Sequence, residues 1–386
     1  MSSHTDTSAN IIWRIIWRVL VHAAIVIGAF CLSCAAVSAE GDVWKQAVAS
    51  KPWHFPRDHG AHPDYRTEWW YFTGNLVDER SGRHGYQLTF FRHGLRRAPQ
   101  HPENPWSVRD VYLAHFAVSD GEARIFRFAQ LSSRDGPDLA GASVKGMDVR
   151  CLNWSARMKG KHIFLNARKD GMELRLQLTP RKPPVFHGAG GLSKKGSEEG
   201  QATYYYSFTD LETKGLITLP HRREPLQVTG TSWFDQEFGS NQLSKEQTGW
   251  DWFSIHLSDG REIMIYFLRR KDGALEPASS GTLIETDGRF RHMKLSDIAV
   301  EARGYWKSPR SGAMYPARWH VSIPSAQIEI ALHPLVADQE LNTEGTTGVI
   351  YWEGAVEGRG ASGGKDVTCR GYVEMTGYAG SMGGLF

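Results

Sequence analysis

Alternating apolar and polar residues recur along this chain in short runs, and Asp-Gly pairs separate many of them. The runs "GYQLTFFRHG", "DVYLAHFAV", "ARIFRFAQL", "HIFLNAR", "MELRLQL", "FSIHL" and "EIMIYFLRR" follow a period of two, which sends successive side chains to opposite faces of a strand. Asp-Gly pairs begin at 120, 135, 170, 259, 272 and 287, and such pairs tolerate the positive φ that tight hairpins demand. Long amphipathic helices are missing. Only "VWKQAVAS" near 43 and "LSDIAVEA" near 295 have the composition for a short helix. Hairpins in series without crossover helices imply antiparallel sheets closed or nearly closed into barrels, an all-β fold.

An internal match sets the number of domains. "WWYFTGNLVD" (69 to 78) lies without gaps on "WDWFSIHLSD" (250 to 259), so Trp69 meets Trp250, Tyr71 meets Trp252 and Phe72 meets Phe253. "GYQLTFFR" then falls on "EIMIYFLR". "TYYYSFTDLETKG" with "GTSWFDQEFG" loosely resembles "GVIYWEGAVEGRG" with "GYVEMTGYAG". Ordered matches of this kind point to duplication. The expected organisation is a leader over 1–39, a first barrel over 40–242 and a second over 243–386, with the boundary in "SNQLSKEQTG".

The chain has 386 residues, a formal charge of +3 and no dense Lys/Arg block, so nucleic acid is not an expected partner. Half of its 14 tryptophans sit beside Tyr, Phe or acidic residues, a pattern suited to a β core or to a pocket for an apolar molecule. Arg14 and Arg18 precede the apolar run "VLVHAAIVIGAFCLSCAAVSA", which ends in Val37-Ser38-Ala39. The pattern predicts a signal peptide cleaved before Glu40, with an uncleaved N-terminal anchor as the alternative. A periplasmic or secreted protein is expected, touching membrane only through this segment. Cys151 and Cys369 then remain, either paired as a disulfide or buried as separate thiols. His59 and His62 lie near Asp58 and Asp64, but no helix aligns them. They read as capping and packing groups, with no metal or cofactor expected.

"DHGAHPDYRTEWWYFTGNL", "GTSWFDQEFGS", "GWDWFSIHLSDGREIMIYFLR" and "YWEGAVEG…GYVEMTGY" resemble the AttH-type, carotenoid 1,2-hydratase-like family from about residue 52 to the C-terminus. The resemblance implies two lipocalin-like barrels and a hydrophobic, isoprenoid- or lipid-like ligand. Many members are labelled only as predicted secreted hydrolases. Some are encoded beside ABC-transporter permeases, which implies an export role as the alternative to catalysis. The family's hydratases add water to an isolated double bond without a cofactor. That requires a carboxylic acid kept protonated by burial, aromatic faces for the developing cation and a group that positions water. Asp235 matches the hydratase acid. Trp233 stands where the hydratases have Tyr, and Tyr206 and Phe208 stand opposite their His and Trp.

Trp233, Asp235 and Glu237 share one strand face, with neighbours ~7 Å apart. Asp235 and Glu237 read either as strand-end hydrogen-bond acceptors or as pocket acids. Glu68, set among Tyr65, Trp69, Trp70, Tyr71 and Phe72, reads either as the partner of an arginine or as the polar group of an aromatic pocket. Tyr204, Tyr205 and Tyr206 alternate faces, so one or two of them point inward. His115 reads as a core or rim histidine, or as a ligand contact. Tyr351, Glu353, Tyr372 and Glu374 repeat the pairing of ring and acid in the second copy, as a second pocket or as hydrogen bonds that close the barrel. "FHGAGGLSKKGSEEGQ" (186 to 201) reads as an exposed loop or a lid. The β-only pattern lacks the strand-to-helix turn that would expose a nucleophilic serine, which argues against an α/β-hydrolase. The enzymatic expectation is acid–base catalysis by Asp235, Tyr206 and Glu68, with Trp69, Trp70, Tyr71, Tyr204, Phe208, Trp233, Glu237 and His115 around the ligand in an unfilled barrel. The alternative expectation is a carrier.

Overall fold

A computed structural model describes residues 43–382; the expected leader lies outside them. The first sheet is built on β1 (Thr67–Asp78), β2 (Arg83–Gly94), β3 (Ala202–Thr218) and β4 (Leu226–Asn241). The second is built on β5 (Gln247–Leu257), β6 (Glu262–Arg270), β7 (Ile350–Ser362) and β8 (Lys365–Met375). In the first, β1 lies between β2 and β4, and β4 pairs with β3; in the second, β5 lies between β6 and β8, and β8 pairs with β7. Beyond β2 come Asp110–Asp120 and Ile125–Arg134, and beyond β3 come Met172–Pro180, His162–Lys169 and Trp154–Lys159. The second sheet repeats this order with Ser280–Ile284 and Phe290–Lys294 beyond β6, and Ile328–Pro334, Met314–Ile323 and Ala299–Lys307 beyond β7. The first sheet continues with Asp148–Cys151 and Ala140–Ala142, and the order shared before them extends the duplication from sequence to topology. The first sheet curls into a near-closed barrel and the second into a half-barrel.

Local chemistry accounts for the hairpins. Asp170 and Gly171 take φ of 52° and 77° and join His162–Lys169 to Met172–Pro180, the two-residue loop with two positive φ values that matches strand twist. Both short-helix expectations fail. Residues 43–50 are irregular, and only Leu295–Asp297 forms a 3-10 turn before the strand Ala299–Lys307. In that strand, exposed and half-buried residues alternate, so the period of two prevails over helix propensity.

The concave side of each sheet is filled, contrary to the expected hollow interior. Trp70, Phe72, Leu88, Phe90, Trp154 and Phe234 pack in the first core, and Phe253, Ile265, Trp319, Val321 and Trp352 in the second. Rings of this size occupy inward positions on both sheets. Cys151 belongs to the first core and Cys369 to the second, both as free buried thiols.

Phe72 is fully buried and stacks on Phe234 with ring centroids 4.6 Å apart. Phe72→Ala should therefore cost roughly 3–5 kcal/mol. The measurement is the urea midpoint at unchanged slope, and a shift worth less than about 1 kcal/mol would contradict this account of the core.

Candidate functional site

The central strands are buried on both faces. Trp70 and Phe72 on β1 and Phe234 on β4 face the first core, which turns Trp69, Tyr71, Trp233, Asp235 and Glu237 outward. On the second sheet, Phe253 and Trp352 face the core, which turns Trp250, Trp252, Tyr266, Glu353 and Glu374 outward. The two outward faces meet and enclose a cavity of about 90 Å³ lined from both sheets. Gln242 and Leu243, in the link between the sheets, close part of its wall.

Asp235 is only 3% exposed. Its Oδ1 accepts hydrogen bonds from the Trp233 indole at 2.6 Å and from Ser207, and its Oδ2 accepts one from the Tyr205 hydroxyl at 2.8 Å. Burial pushes its pKa up to about 7 despite these three donors, each of which favours the anion. Tyr205 in turn accepts from the Trp252 indole at 3.0 Å, so a residue of the second sheet orients the donor of the first.

Glu374 and Glu353 are direct cross-strand partners on β8 and β7, a pairing that sets Cβ atoms about 5 Å apart. Burial raises Glu374 to about 7 while the Trp250 indole donates to its Oε2 at 2.8 Å. Burial and the neighbouring Glu374 raise Glu353 well above the usual carboxyl range. Tyr71 donates to Glu353 Oε1 across the interface.

The fourth acid, Glu237, differs. Lys195 Nζ lies 2.7 Å away, and Thr203 also donates to it. Burial works to lower Lys195, but Glu237 overcomes that and holds it protonated. The ammonium also sits 4.2 Å from the Tyr266 ring centroid. Lys195 comes from the segment expected to be an exposed loop or a lid. That segment is instead pinned: Lys195 donates its backbone N–H to Gln201 O at 2.8 Å, and Gln247 donates to Lys195 O at 2.7 Å.

Of the residues expected at a site, Trp69, Tyr71, Asp235 and Glu237 line this cavity, and Trp233 supports Asp235 from behind it. Glu68 and Tyr206 do not join them, because strand alternation puts them on the inward face. Glu68 accepts from the His62 backbone and ring at 2.8 and 2.7 Å and from Gln236 at 2.9 Å, with Arg92 at 3.4 Å. Burial opposes its ionisation, but His62 and Arg92 prevail and hold its pKa below the usual range. Tyr206 donates to Gln236 and meets His59 Nδ1 at 2.7 Å. Trp70 and Phe208 belong to the first core, and Tyr204 donates to Ala49 O. His115 bridges the sheets, contacting the Tyr351 hydroxyl at 2.8 Å and Thr346 at 3.0 Å. Burial pushes its pKa down to about 3, so it is neutral. The wall residues not singled out as pocket groups include Tyr205, Trp250, Trp252, Lys195 and Gln87. Glu353 and Glu374 had a visible signal, the repeated pairing of ring and acid in the second copy, and the two sets make one site rather than two.

A family model described as AttH-like matches residues 46–378. A solved AttH-type protein from Nitrosomonas europaea is 33% identical, with 86% of this chain and 99% of that chain covered at a TM-score of 0.76. Kievitone hydratase from Nectria haematococca covers 88% of this chain and 98% of its own at a TM-score of 0.64, and at 16% identity it shows a shared fold. No curated protein matches the sequence.

The site acids make stability depend on pH. Asp235 and Glu374 titrate near 7 in the folded chain, and burial beside Glu374 raises Glu353 well above its ordinary value, whereas unfolded carboxyls titrate near 4. The folded state thus binds more protons between these values. Its advantage is complete below about pH 4 and is lost as pH rises through about 7, at about 1.4 kcal/mol per unit for each group. Glu374→Gln keeps an acceptor for Trp250 and removes the titration. The variant should gain roughly 3–4 kcal/mol over the parent at pH 8 and nothing at pH 4, read from urea midpoints. An equal difference at both pH values would refute the assignment.

Proposed function

The chain belongs to the AttH-like family, and on that footing we propose that its intersheet cavity binds the reacting end of a hydrophobic, isoprenoid- or lipid-like molecule and protonates it from Asp235. The observation that carries this reading is a carboxyl with a pKa of about 7 buried against aromatic rings. A cavity of about 90 Å³ is smaller than the roughly 150 Å³ that holds benzene. Only one end of a longer ligand enters it.

The reaction is hydration or a related lyase step, and hydration itself requires no cofactor. Asp235 transfers its proton to one carbon of a double bond, whose π electrons form the new C–H bond. The cation left on the other carbon faces Trp69, Tyr71 and Trp252, which stabilise it through their ring quadrupoles. A water oxygen then bonds to that carbon, and the proton it releases returns to the Asp235 carboxylate. Ser207, Trp233 and Tyr205 donate to the anion more strongly than to the acid, so they stabilise the charge as it develops. The fold of kievitone hydratase is the same, which supports hosting such chemistry here. Export through residues 1–39, membrane contact through that segment alone and docking to an ABC-transporter permease are proposed from the sequence pattern and the family resemblance.

The test uses the lipid that co-purifies with the protein from its host. Asp235→Asn should lower turnover roughly 10²- to 10⁴-fold, the range for loss of a general acid, with ligand affinity changed less than about twofold. In the parent, kcat should fall about tenfold per unit above pH 7, as the acid form is depleted. A tightly bound lipid that the parent never converts would instead make the protein a carrier.

A further inference from the structure

The proposed reaction uses Asp235 and leaves two polar atoms in the same cavity without a role. Glu353 Oε2 and Gln87 Oε1 are buried and have no hydrogen-bond partner among the described residues. Their side chains are 1% and 0% exposed, and both line the cavity. A buried polar atom left unsatisfied keeps its desolvation penalty, so two of them lining one cavity point to a group that satisfies both.

We propose that Glu353 and Gln87 form a subsite for a hydroxyl group carried by the otherwise apolar ligand, on the wall supplied by β7 and β2. The inference rests on the cavity being the ligand site. Each side chain has its other end engaged, which fixes what the free end offers. Tyr71 donates to Glu353 Oε1, and Gln87 Nε2 donates to Thr89 Oγ1 at 2.6 Å. Burial and Glu374 keep Glu353 in its neutral form, and with Oε1 accepting from Tyr71 the acid proton resides on Oε2. The wall therefore presents one O–H donor and one amide acceptor. An alcohol or phenol oxygen both accepts and donates, which satisfies the two together. An ether or a ketone accepts only and leaves Gln87 unpaired, and an ammonium donates only and leaves the Glu353 proton unpaired. A hydrocarbon satisfies neither. The subsite thus selects a hydroxylated apolar molecule over its deoxy analogue, and polar sites built this way discriminate strongly.

The experiment compares prenol with 2-methyl-2-pentene, in which a methyl group replaces the hydroxyl, by isothermal titration calorimetry on the full chain. The parent should bind prenol at least roughly tenfold more tightly. Glu353→Leu and Gln87→Met should each reduce that ratio to less than about threefold while keeping affinity for the hydrocarbon. Glu353→Gln, which keeps an acceptor for Tyr71 and a donor on the free side, should retain the ratio and reports on folding should the leucine variant not fold. Equal affinity of the parent for the two probes, or an unchanged ratio in Gln87→Met or in folded Glu353→Leu, or a lost ratio in Glu353→Gln, overturns the subsite and leaves the cavity as a purely apolar ligand site. Binding of neither probe overturns the ligand reading of the cavity and the subsite with it.

Discussion

Burial of the central strands on both faces is the constraint from which the rest of this molecule follows. A strand whose one face packs into its own sheet's core and whose other face packs against a second sheet leaves no side for water. Every polar group on the second face must then find a partner across the junction or change its charge. Tyr71 reaches Glu353, His115 reaches Tyr351, Ser119 reaches Gln339 and Lys182 reaches Glu262 at 2.7 Å, each pair joining one sheet to the other. The junction is thus a polar layer between two dry cores. Burial raises Asp235 and Glu374 to about 7 there, whereas Glu237 has the Lys195 ammonium 2.7 Å away.

Duplication makes this layer self-complementary and then lets the two halves diverge. Tyr71 faces Asp235 across β1 and β4 as Trp252 faces Glu374 across β5 and β8. The equivalent acids sit in different company. Asp235 receives three side-chain donors, Glu374 one, and Glu353 one with an oxygen left over. Donors aimed at a carboxylate favour giving up the proton, whereas a carboxyl beside another acid keeps it. The same strand geometry therefore yields one acid suited to transfer and another suited to hold a hydrogen bond. Neither sheet alone encloses the site, because each supplies the wall that dehydrates the other.

Glu68 shows how an acid amid aromatic rings is misleading when only its neighbours in sequence are known. Its motif is as rich in rings as that of Asp235, yet it meets His62, Arg92 and Gln236 and stays ionised at the end of the first core. The difference is the sign of the nearest charge, which comes from His62 and from Arg92, 24 positions away, while the neutral amide of Gln236 adds a hydrogen bond from 168 positions away. Long-range pairing of this kind leaves no trace in a local motif.

The amino-acid sequence by itself determined the antiparallel β class, the hairpin at Asp170-Gly171, the duplication and the grouping of Trp233, Asp235 and Glu237 on one face. These follow from period-two alternation, turn stereochemistry and ordered repetition, all of which are local or self-referential. Tertiary structure alone decided which face looks where. In "TYYYSF", alternation separates Tyr205 from Tyr204 and Tyr206, but it does not say which set meets the second sheet. Both faces carry tyrosine rings and both are buried, so the contrast between a buried and a solvent face that usually marks the core side is absent. The same degeneracy hid the position of the hollow. Filled barrels with a cavity between them and hollow barrels with solid walls demand nearly the same pattern of residues, and only the packing of one sheet on the other distinguishes them.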